Sequence, residues 1–285
     1  MNLDEITTGP FTSLSDLIDL GESLADLKES SDPQDPRAAW AFRGQPKAYG
    51  TLVPSFQRIF TTKRSVGAAE IIEHDLIQTF REHYAKLAGR TPDMPHPDVI
   101  SEGYDLRCLS VMQHYGVPTR LLDWTGGFWV AVYFACAGHP TDDAELWYYH
   151  RTIFKDQTMA NPALAALVAP HVEGVLPLQE SGILFQRGTS LLAELDFQLT
   201  PRMRQQMAHH TVCSDVFADH GPLLRTLDTS GGRLGRVLIA NSCKEKALRF
   251  LEEQMETTAS TIFPDVEGLG RFLHWHMETL VTTIL

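Results

Sequence analysis

The sequence predicts a single α/β domain in which a mixed central sheet is flanked by helices. In several segments apolar residues recur at intervals of three and four, which is typical of helices packed on a core. Between them lie short apolar and aromatic runs that indicate strands. The 285 residues are 43% hydrophobic and 21% charged, as in ordinary globular proteins. We expect residues 1–36 to form a helix and a loop that pack on one domain spanning residues 37–285.

Six helices are predicted from apolar spacing and from capping residues. Ser13 begins the first, and Asp16, three residues later, completes a capping box. The second helix is expected to bury one apolar stripe, formed by Ile72, Leu76, Phe80, Tyr84 and Leu87. The predicted helices are Ser13–Lys28, Gly67–Leu87, a third ending at Gly116, Phe128–Ala137 with Gly138 as its cap, a fifth from a Ser242 and Glu245 capping box to about Glu256, and Leu269–Leu280.

Extended segments separate these helices. Trp40, Phe42 and Leu52 indicate extended chain around an Arg-Gly turn. A short buried strand is predicted at Leu121–Trp124, directly after a Val-Pro turn. Further strands are expected at Leu146–Tyr149, Gly182–Gln186 and Val237–Ala240.

Charge and hydropathy argue against two classes of partner. The net charge of −12 disfavours non-specific binding to DNA or RNA, since phosphates need a positive field. The longest apolar run, Phe128–Ala137, is about half as long as a membrane-spanning helix. Asp4 and Glu5 stand where a signal peptide carries positive charge, so we expect a cytoplasmic protein without a membrane partner. The cysteines are widely spaced, so we expect reduced thiols.

Three segments place polar and ionisable residues among aromatics and glycines. The first, Trp40–Gln45, sets Arg43 between an aromatic residue and a glycine at the end of a predicted strand. A guanidinium there suits bidentate binding of a phosphate or carboxylate. A structural arginine paired with a nearby carboxylate is the alternative interpretation.

The second segment, Gln113–Thr125, runs from a helix end through a rigid turn into a strand and is rich in donors and acceptors. His114 titrates near neutral pH, so it is suited to bind a ligand hydroxyl or to act as acid or base. A histidine at a helix end is also a common cap. Asp123 lies between two apolar residues and would be costly to bury unpaired. We expect Arg120, Arg43 or a backbone cap to neutralise it.

The third segment, Pro201–Gln206, is a cluster of arginine and glutamine that follows a strand-like stretch. Arg202 and Gln206 are its candidate site residues. An exposed polar helix face is the alternative interpretation of the same pattern.

Several well-defined catalytic patterns are missing from the sequence. It contains no Walker phosphate loop, no dinucleotide glycine fingerprint, no Gly-x-Ser-x-Gly elbow and no His-Glu-x-x-His. The pairs His209-His210 and His274/His276 do not place two imidazoles on one helical face. We therefore expect no metal.

The motifs resemble those of the FRG-domain family. The resemblance spans about Trp40 to Phe272. It rests on Phe42-Arg43-Gly44, on the run His114-Tyr115-Gly116-x-Pro118-Thr119-Arg120-Leu121-Leu122-Asp123-Trp124-Thr125, on Ala131-x-Tyr133-Phe134-Ala135 and on Phe263-Pro264-Asp265. The third segment departs from the family habit, because Ala208 stands where a glycine is expected. That departure affects the assignment of Gln206.

The order of the motifs also resembles that of ADP-ribosyltransferases, which implies a fold of that kind and NAD as substrate. On this resemblance Arg43 binds the NAD phosphates or the nicotinamide ribose, and His114 and Thr119 bind a ribose or phosphate. Tyr133 or Trp124 stacks on a ring. Gln206 takes the late position in the motif order, where ADP-ribosyltransferases have an acidic or amide residue. Glutamine cannot act as a base, so deprotonation falls to His114, Glu194 or Asp123, or the fold only binds. The other expected binding residues are Phe42, Gly44, Gln45, Tyr115, Arg120, Thr125 and Arg202.

Three functional hypotheses follow. The leading one is an NAD-consuming enzyme, an ADP-ribosyltransferase or NAD glycohydrolase, with a small nucleotide ligand and a protein or RNA acceptor. Such an enzyme would suit a bacterial toxin or phage-defence effector. The second is a nucleotide-binding sensor without turnover. The third is chemistry on RNA or another phosphorylated substrate, with His114, Arg43, Arg120 and Arg202 as a phosphate clamp.

Overall fold

A computed structural model describes residues 6–29, 40–61, 65–87, 105–154, 190–196 and 199–284. Within these residues seven strands form one mixed sheet in the order β1-β7-β4-β2-β3-β6-β5. Only the β1 and β7 pair is parallel. The strands are β1 Thr7–Phe11, β2 Trp40–Gln45, β3 Leu122–Thr125, β4 Ala144–His150, β5 Leu192–Leu195, β6 Ala208–Cys213 and β7 Leu234–Ile239.

The sheet is flanked by helices, as the sequence predicts for an α/β domain. The described residues form ten α-helices and one 3₁₀ helix, Arg151–Phe154. The α-helices are α1 Leu14–Glu29, α2 Ser55–Ile59, α3 Val66–Leu87, α4 Asp105–His114, α5 Phe128–Cys136, α6 Pro201–Gln205, α7 His220–Leu227, α8 Asn241–Met255, α9 Ala259–Ile262 and α10 Val266–Ile284.

The two faces of the sheet bury different clusters, because successive side chains of a strand point to opposite sides. On one face, Phe42 packs with apolar residues of α1, α5 and α8. Helices α3 and α4 cover β5 and β6 on this same face. On the other face, Ala41 packs with Trp147, Tyr149 and Trp124 against the 3₁₀ helix and α7.

The centre of the sheet is weakly joined between β2 and β3. Strand β2 pairs with β4 at every residue from Trp40 to Gln45. Its pairing with β3 is recorded only at Phe42 with Thr125. The two strands therefore leave a gap beyond that pair, which their backbone groups and side chains line. The candidate site lies in this gap between β2 and β3.

Gly44 is required for the close packing of α5 on β2. A Cβ atom on Gly44 would lie 1.9 Å from the carbonyl oxygen of Ala131, inside van der Waals contact. Any side chain would push α5 away from the strand. The glycine of the first motif thus has a packing role.

Most of the predicted elements are present. The first helix has its capping box, since the Asp16 backbone N–H donates to Ser13 Oγ at 3.3 Å and the Ser13 N–H donates to Asp16 Oδ2 at 3.2 Å. Helix α4 ends before Gly116, which has a φ of +82°. The predicted Gly182–Gln186 strand lies outside the described residues. All four cysteines are buried and free.

Three expectations about elements were wrong. Helix α8 begins at Asn241 behind Ala240, with no side-chain cap, so the Ser242 and Glu245 capping box is not formed. Leu52 is buried in a loop, because it fills the core beneath β2 without strand partners. Strand β1 was missed, since Thr7–Phe11 has no alternating apolar pattern and is only half-buried or exposed.

The predicted apolar stripe of α3 is confirmed in part, since Leu76, Phe80 and Tyr84 pack on the core. Ile72 and Leu87 are 44% and 51% exposed, whereas Ile77 and Tyr84 are buried. Glu73 is buried on the same helix because it forms an ion pair with Arg120. The buried face of α3 therefore includes a charged residue that the apolar stripe does not contain.

Candidate functional site

A cavity of about 280 Å³ lies where β2 and β3 meet. It brings together parts of all three polar segments that the sequence singled out. Nine predicted site residues line it: Phe42, Arg43, Gly44, His114, Asp123, Trp124, Thr125, Arg202 and Gln206. Ser110, Gln113, Phe134, Met203, Ala208 and His210 complete the lining.

Arg43 sits in the gap between β2 and β3. Its Nη1 donates to the backbone oxygen of Asp123 at 2.7 Å, which fixes the plane of the guanidinium. Its Nε is buried and has no hydrogen-bond partner in the described part of the chain. Burial lowers the pKa of Arg43, and the Asp123 carboxylate opposes this effect. Guanidinium groups remain charged in proteins. Arg43 therefore carries a charge, and a donor that the described residues leave without an acceptor.

Arg43 also lines a second, smaller cavity. This one has a volume of about 210 Å³ and lies on the side of α2 and the Gly116-Val117-Pro118 turn. Arg58 lines it as well, and its positive charge helps to lower the pKa of Arg43. Two guanidinium groups that repel one another favour an anion between them.

Asp123 presents its carboxylate to the β2 and β3 cavity of about 280 Å³. The side chain is 57% exposed, contrary to the expectation that it is buried. Its Oδ1 accepts a hydrogen bond from Gln113 Nε2 at 2.5 Å and lies 3.4 Å from His210 Nε2. Neither Arg120 nor a backbone cap neutralises it among the described residues, and Arg43 contacts its carbonyl oxygen instead. Among the described lining residues Asp123 is the one carboxylate.

His114 is neutral at physiological pH. Burial and the neighbouring Arg202 lower its pKa to about 4, against the opposing charges of Asp265 and Asp123. Its ring packs edge-on against Tyr115 at 4.8 Å between ring centroids. A neutral imidazole has one donor and one acceptor nitrogen, which suits hydroxyl recognition.

Helix α6 supplies the far wall of the cavity. The guanidinium carbon of Arg202 lies 4.2 Å from the ring centroid of Phe263, so the third segment contacts the Phe263-Pro264-Asp265 motif. Gln206 is held by its side-chain amide, which donates from Nε2 to Ile262 O at 3.3 Å, and by its backbone carbonyl, which accepts from Thr125 Oγ1 at 2.6 Å. Both residues are half-buried.

The backbone after Gln206 explains the departure from the family pattern. Met207, and not Ala208, has the left-handed conformation, with a φ of +47°. A glycine would adopt this conformation without strain, whereas methionine does so at some cost. Gln206 nevertheless reaches the cavity.

Five predicted binding residues lie outside this cavity. Thr119 is fully buried, and its hydroxyl donates to Gln113 Oε1. Arg120 is 1% exposed and ion-paired with Glu73. Gln45 is 6% exposed and donates to Glu145 Oε1 at 2.6 Å. The remaining two are Tyr115, which is exposed, and Tyr133, which lines a different cavity.

Glu194, a candidate base, belongs to the opposite face of the sheet. Its carboxylate accepts from Tyr149 OH at 2.8 Å and from Arg151 Nε at 2.9 Å. Burial raises its pKa, and these partners oppose that rise. His114 and Asp123 are the base candidates that share the cavity with Arg43.

Two polar residues of the cavity were missed as site residues. Ser110 Oγ and His210 Nδ1 are buried without a hydrogen-bond partner in the described part of the chain. His210 pairs with Asp123 across β3 and β6, so both side chains lie on the same face. The His209-His210 pair was considered only as a metal site, and strand alternation would have sent His210 towards Asp123 and His209 away from it.

Residues 38–144 match the family model of the FRG domain. The chain contains an FRG domain. The match includes the Phe42-Arg43-Gly44 triplet and the His114 to Thr125 run and ends at the first residue of β4. Phe263-Pro264-Asp265 lies beyond the FRG match but contacts the same site through Arg202. A search of curated proteins and a search of solved structures found no match.

Two searches of the described residues bear on cofactors and membranes. No group of three or more His, Cys, Asp or Glu side chains among them is arranged to hold a metal ion. None of the helices found in those residues combines the length and the apolar character that crossing a bilayer requires.

Proposed function

We propose that this FRG-domain protein is an NAD-consuming enzyme that breaks the bond between nicotinamide and ribose. The observation that carries the proposal is the composition of the β2 and β3 cavity. Two guanidinium groups, a neutral imidazole and one accessible carboxylate converge there from three separate segments. Cations that hold phosphates beside a carboxylate that stabilises positive charge are what glycosidic cleavage of a dinucleotide needs.

Arg43 and Arg202 bind the diphosphate. Neither guanidinium has an ion-pair partner among the described residues, and Arg43 Nε is buried and unpaired. A diphosphate supplies the missing acceptors in a charge-assisted geometry. Because the Asp123 carbonyl already fixes the plane of Arg43, little further ordering is lost on binding.

Asp123 stabilises the transition state. The bond between ribose C1′ and the nicotinamide nitrogen breaks, and its electron pair leaves with neutral nicotinamide. Positive charge then develops on C1′ and the ring oxygen, close to the carboxylate. In hydrolysis water attacks C1′ and its proton passes to Asp123, giving ADP-ribose, nicotinamide and one proton. In transfer an acceptor hydroxyl, amine or carboxylate takes the place of water.

His114 and Gln206 orient the substrate. The low pKa of about 4 makes His114 a hydrogen-bonding group for a ribose hydroxyl, and it is a weak base near neutral pH. Gln206 occupies the late position, and its amide is tied to Ile262 O. The wall formed by Phe42 and Trp124 limits access of bulk water to the reacting carbon.

Nicotinamide release from NAD by the purified protein tests this function, with and without cell lysate as acceptor. We expect Asp123→Asn and Arg43→Lys each to lower the turnover rate by about 100-fold or more. Asp19→Asn and Arg249→Lys are matched controls, since both residues lie on the outer surfaces of α1 and α8 and are expected to leave turnover unchanged. Circular dichroism confirms that each variant is folded. If the folded wild-type protein releases no nicotinamide either with or without lysate, the proposed enzymatic activity is refuted.

A nucleotide-binding sensor is the second candidate, favoured by the position of Glu194. That carboxylate is occupied by Arg151 on the other face of the sheet, and glutamine stands at the late position. If the protein is a sensor, NAD or ADP-ribose should raise its melting temperature, and neither ligand should be consumed.

The biological setting extends the same proposal. Consumption of NAD harms the cell in which it occurs, which fits a bacterial toxin or a phage-defence effector acting in the cytoplasm. Expression in a host cell tests it. We expect growth arrest with the wild type and normal growth with Asp123→Asn.

A further inference from the structure

A third and larger cavity, of about 610 Å³, lies between α5, α8, α9 and α10. Five aromatic side chains are among its lining residues, namely Tyr133, Phe134, Phe263, Phe272 and Trp275. Phe134 also lines the β2 and β3 cavity, so one side chain forms a wall of both. Planar heterocycles stack favourably on such side chains.

Charged groups of both signs lie at the border between the two cavities, since Glu267 is ion-paired with Arg271, and Asp265 and Glu267 both interact with Arg202. The guanidinium carbons of Arg202 and Arg271 lie 4.2 and 4.6 Å from the ring centroid of Phe263. Arg202 lines the β2 and β3 cavity, and Arg271 lines the cavity of about 610 Å³. Two arginines that both stack on Phe263, one lining each cavity, are suited to a bridging anion such as a diphosphate.

We infer that the aromatic cavity binds the second base of the nucleotide, a purine, and that the ligand class is a dinucleotide. This inference rests on the proposed function. The β2 and β3 cavity, at about 280 Å³, has room for one nucleoside half, whereas the aromatic cavity of about 610 Å³ has room for the other. Arg271 then joins Arg43 and Arg202 in holding the diphosphate that links the halves.

Calorimetric titration with NAD and with nicotinamide mononucleotide, which lacks the adenosine half, tests this assignment. We expect wild type to bind NAD at least about 10-fold more tightly than the mononucleotide, since base stacking on an aromatic side chain contributes that much. Trp275→Ala is expected to remove most of this difference and to leave mononucleotide binding unchanged. Trp275 is half-buried, and Arg271→Gln serves as a second variant that preserves the apolar packing.

Leu273→Ala is the matched control, because Leu273 lies on the same helix, is 54% exposed and does not line the cavity. Equal affinities for NAD and the mononucleotide would overturn this inference and leave the proposed function standing. An equal weakening of both ligands by Trp275→Ala would overturn it as well. Failure of the wild type to bind either nucleotide would overturn both proposals together.

Discussion

Arg43 and Arg120 are both arginines of the motifs, yet their surroundings differ completely. Arg120 is 1% exposed and donates through Nε to Glu73 Oε1 at 2.8 Å and through Nη1 to the carbonyls of Cys213 and Ser214 at 3.3 and 3.2 Å. Arg43 is half-buried and donates to one carbonyl, with a buried Nε that has no partner among the described residues.

The difference separates a structural arginine from the one proposed to bind a ligand. A protein normally satisfies its buried donors, so a cation whose donors are left over beside a cavity indicates a missing ligand. Arg120 links α3 to the end of β6. These contacts occupy its donors, so none is left to bind a phosphate. Arg43 has that capacity, although both residues belong to the same family motifs.

The largest effect is expected on breaking the Arg120 ion pair. Arg120→Met leaves Glu73 buried without its partner, and the free energy of unfolding should fall by about 3–5 kcal/mol. Arg43→Met removes one hydrogen bond to a carbonyl and should cost about 1 kcal/mol or less. Urea denaturation followed by circular dichroism measures both.

The double variant Arg120→Met with Glu73→Leu sharpens this contrast. Since both charges are then absent, most of the lost stability should return. Losses that simply add in the double variant would mean that the pair is not coupled, and the structural role assigned to Arg120 would be wrong.

Acid should destabilise the protein through its buried histidines. Burial lowers the pKa of His220 to about 3 and that of His114 to about 4, and it also lowers the pKa values of His209 and His210. Below about pH 6.5 each of these binds a proton in the unfolded chain but not in the folded one, so their stabilising contribution is lost as pH falls towards the folded pKa. Each histidine contributes a slope of about 1.4 kcal/mol per pH unit.

His220 provides the sharpest test of this acid dependence. It is 1% exposed, and its Nδ1 lies 2.9 Å from Thr211 Oγ1. Between pH 6 and 4, His220→Gln should reduce the slope of unfolding free energy against pH by the contribution of one histidine, about 1.4 kcal/mol per pH unit. Glu194 acts in the opposite direction, since burial raises its pKa, and it is unchanged in the variant. An identical slope in wild type and variant would contradict the assignment.

The smallest effect is expected at Thr119, which acts on the cavity through another residue. Its hydroxyl donates to Gln113 Oε1 and accepts from the Leu121 N–H at 3.2 Å, and Gln113 in turn donates to Asp123. Thr119→Val should lower the free energy of unfolding by about 1 kcal/mol. It should also lower NAD turnover several-fold without changing the KM, whereas exposed Thr226→Val should change neither. A change in KM alone would instead place Thr119 in contact with substrate.

Local patterns in the sequence were sufficient for much of the fold. The capping box of Ser13 and Asp16 and the glycine stop at Gly116 depend on neighbouring residues, and both are present. The α3 stripe was confirmed only in part, because the inward face of the helix also holds Glu73, whose burial depends on Arg120 far along the chain. Strand β1 was missed for a similar reason, since it pairs with β7, which lies far along the chain.

For the candidate site, the sequence by itself determined which segments carry unusual chemistry. Phe42-Arg43-Gly44 and the His114 to Thr125 run were visible as motifs, and the FRG match includes both. Only the tertiary structure decided which of their side chains share a cavity. Strand alternation and the gap beside the Phe42 and Thr125 pair turn Asp123 and His210 into it, and they leave Arg120, Thr119 and Glu194 to the interior. Whether a polar side chain is free to bind a ligand depends on the partners that distant residues provide, and residue type does not encode those partners.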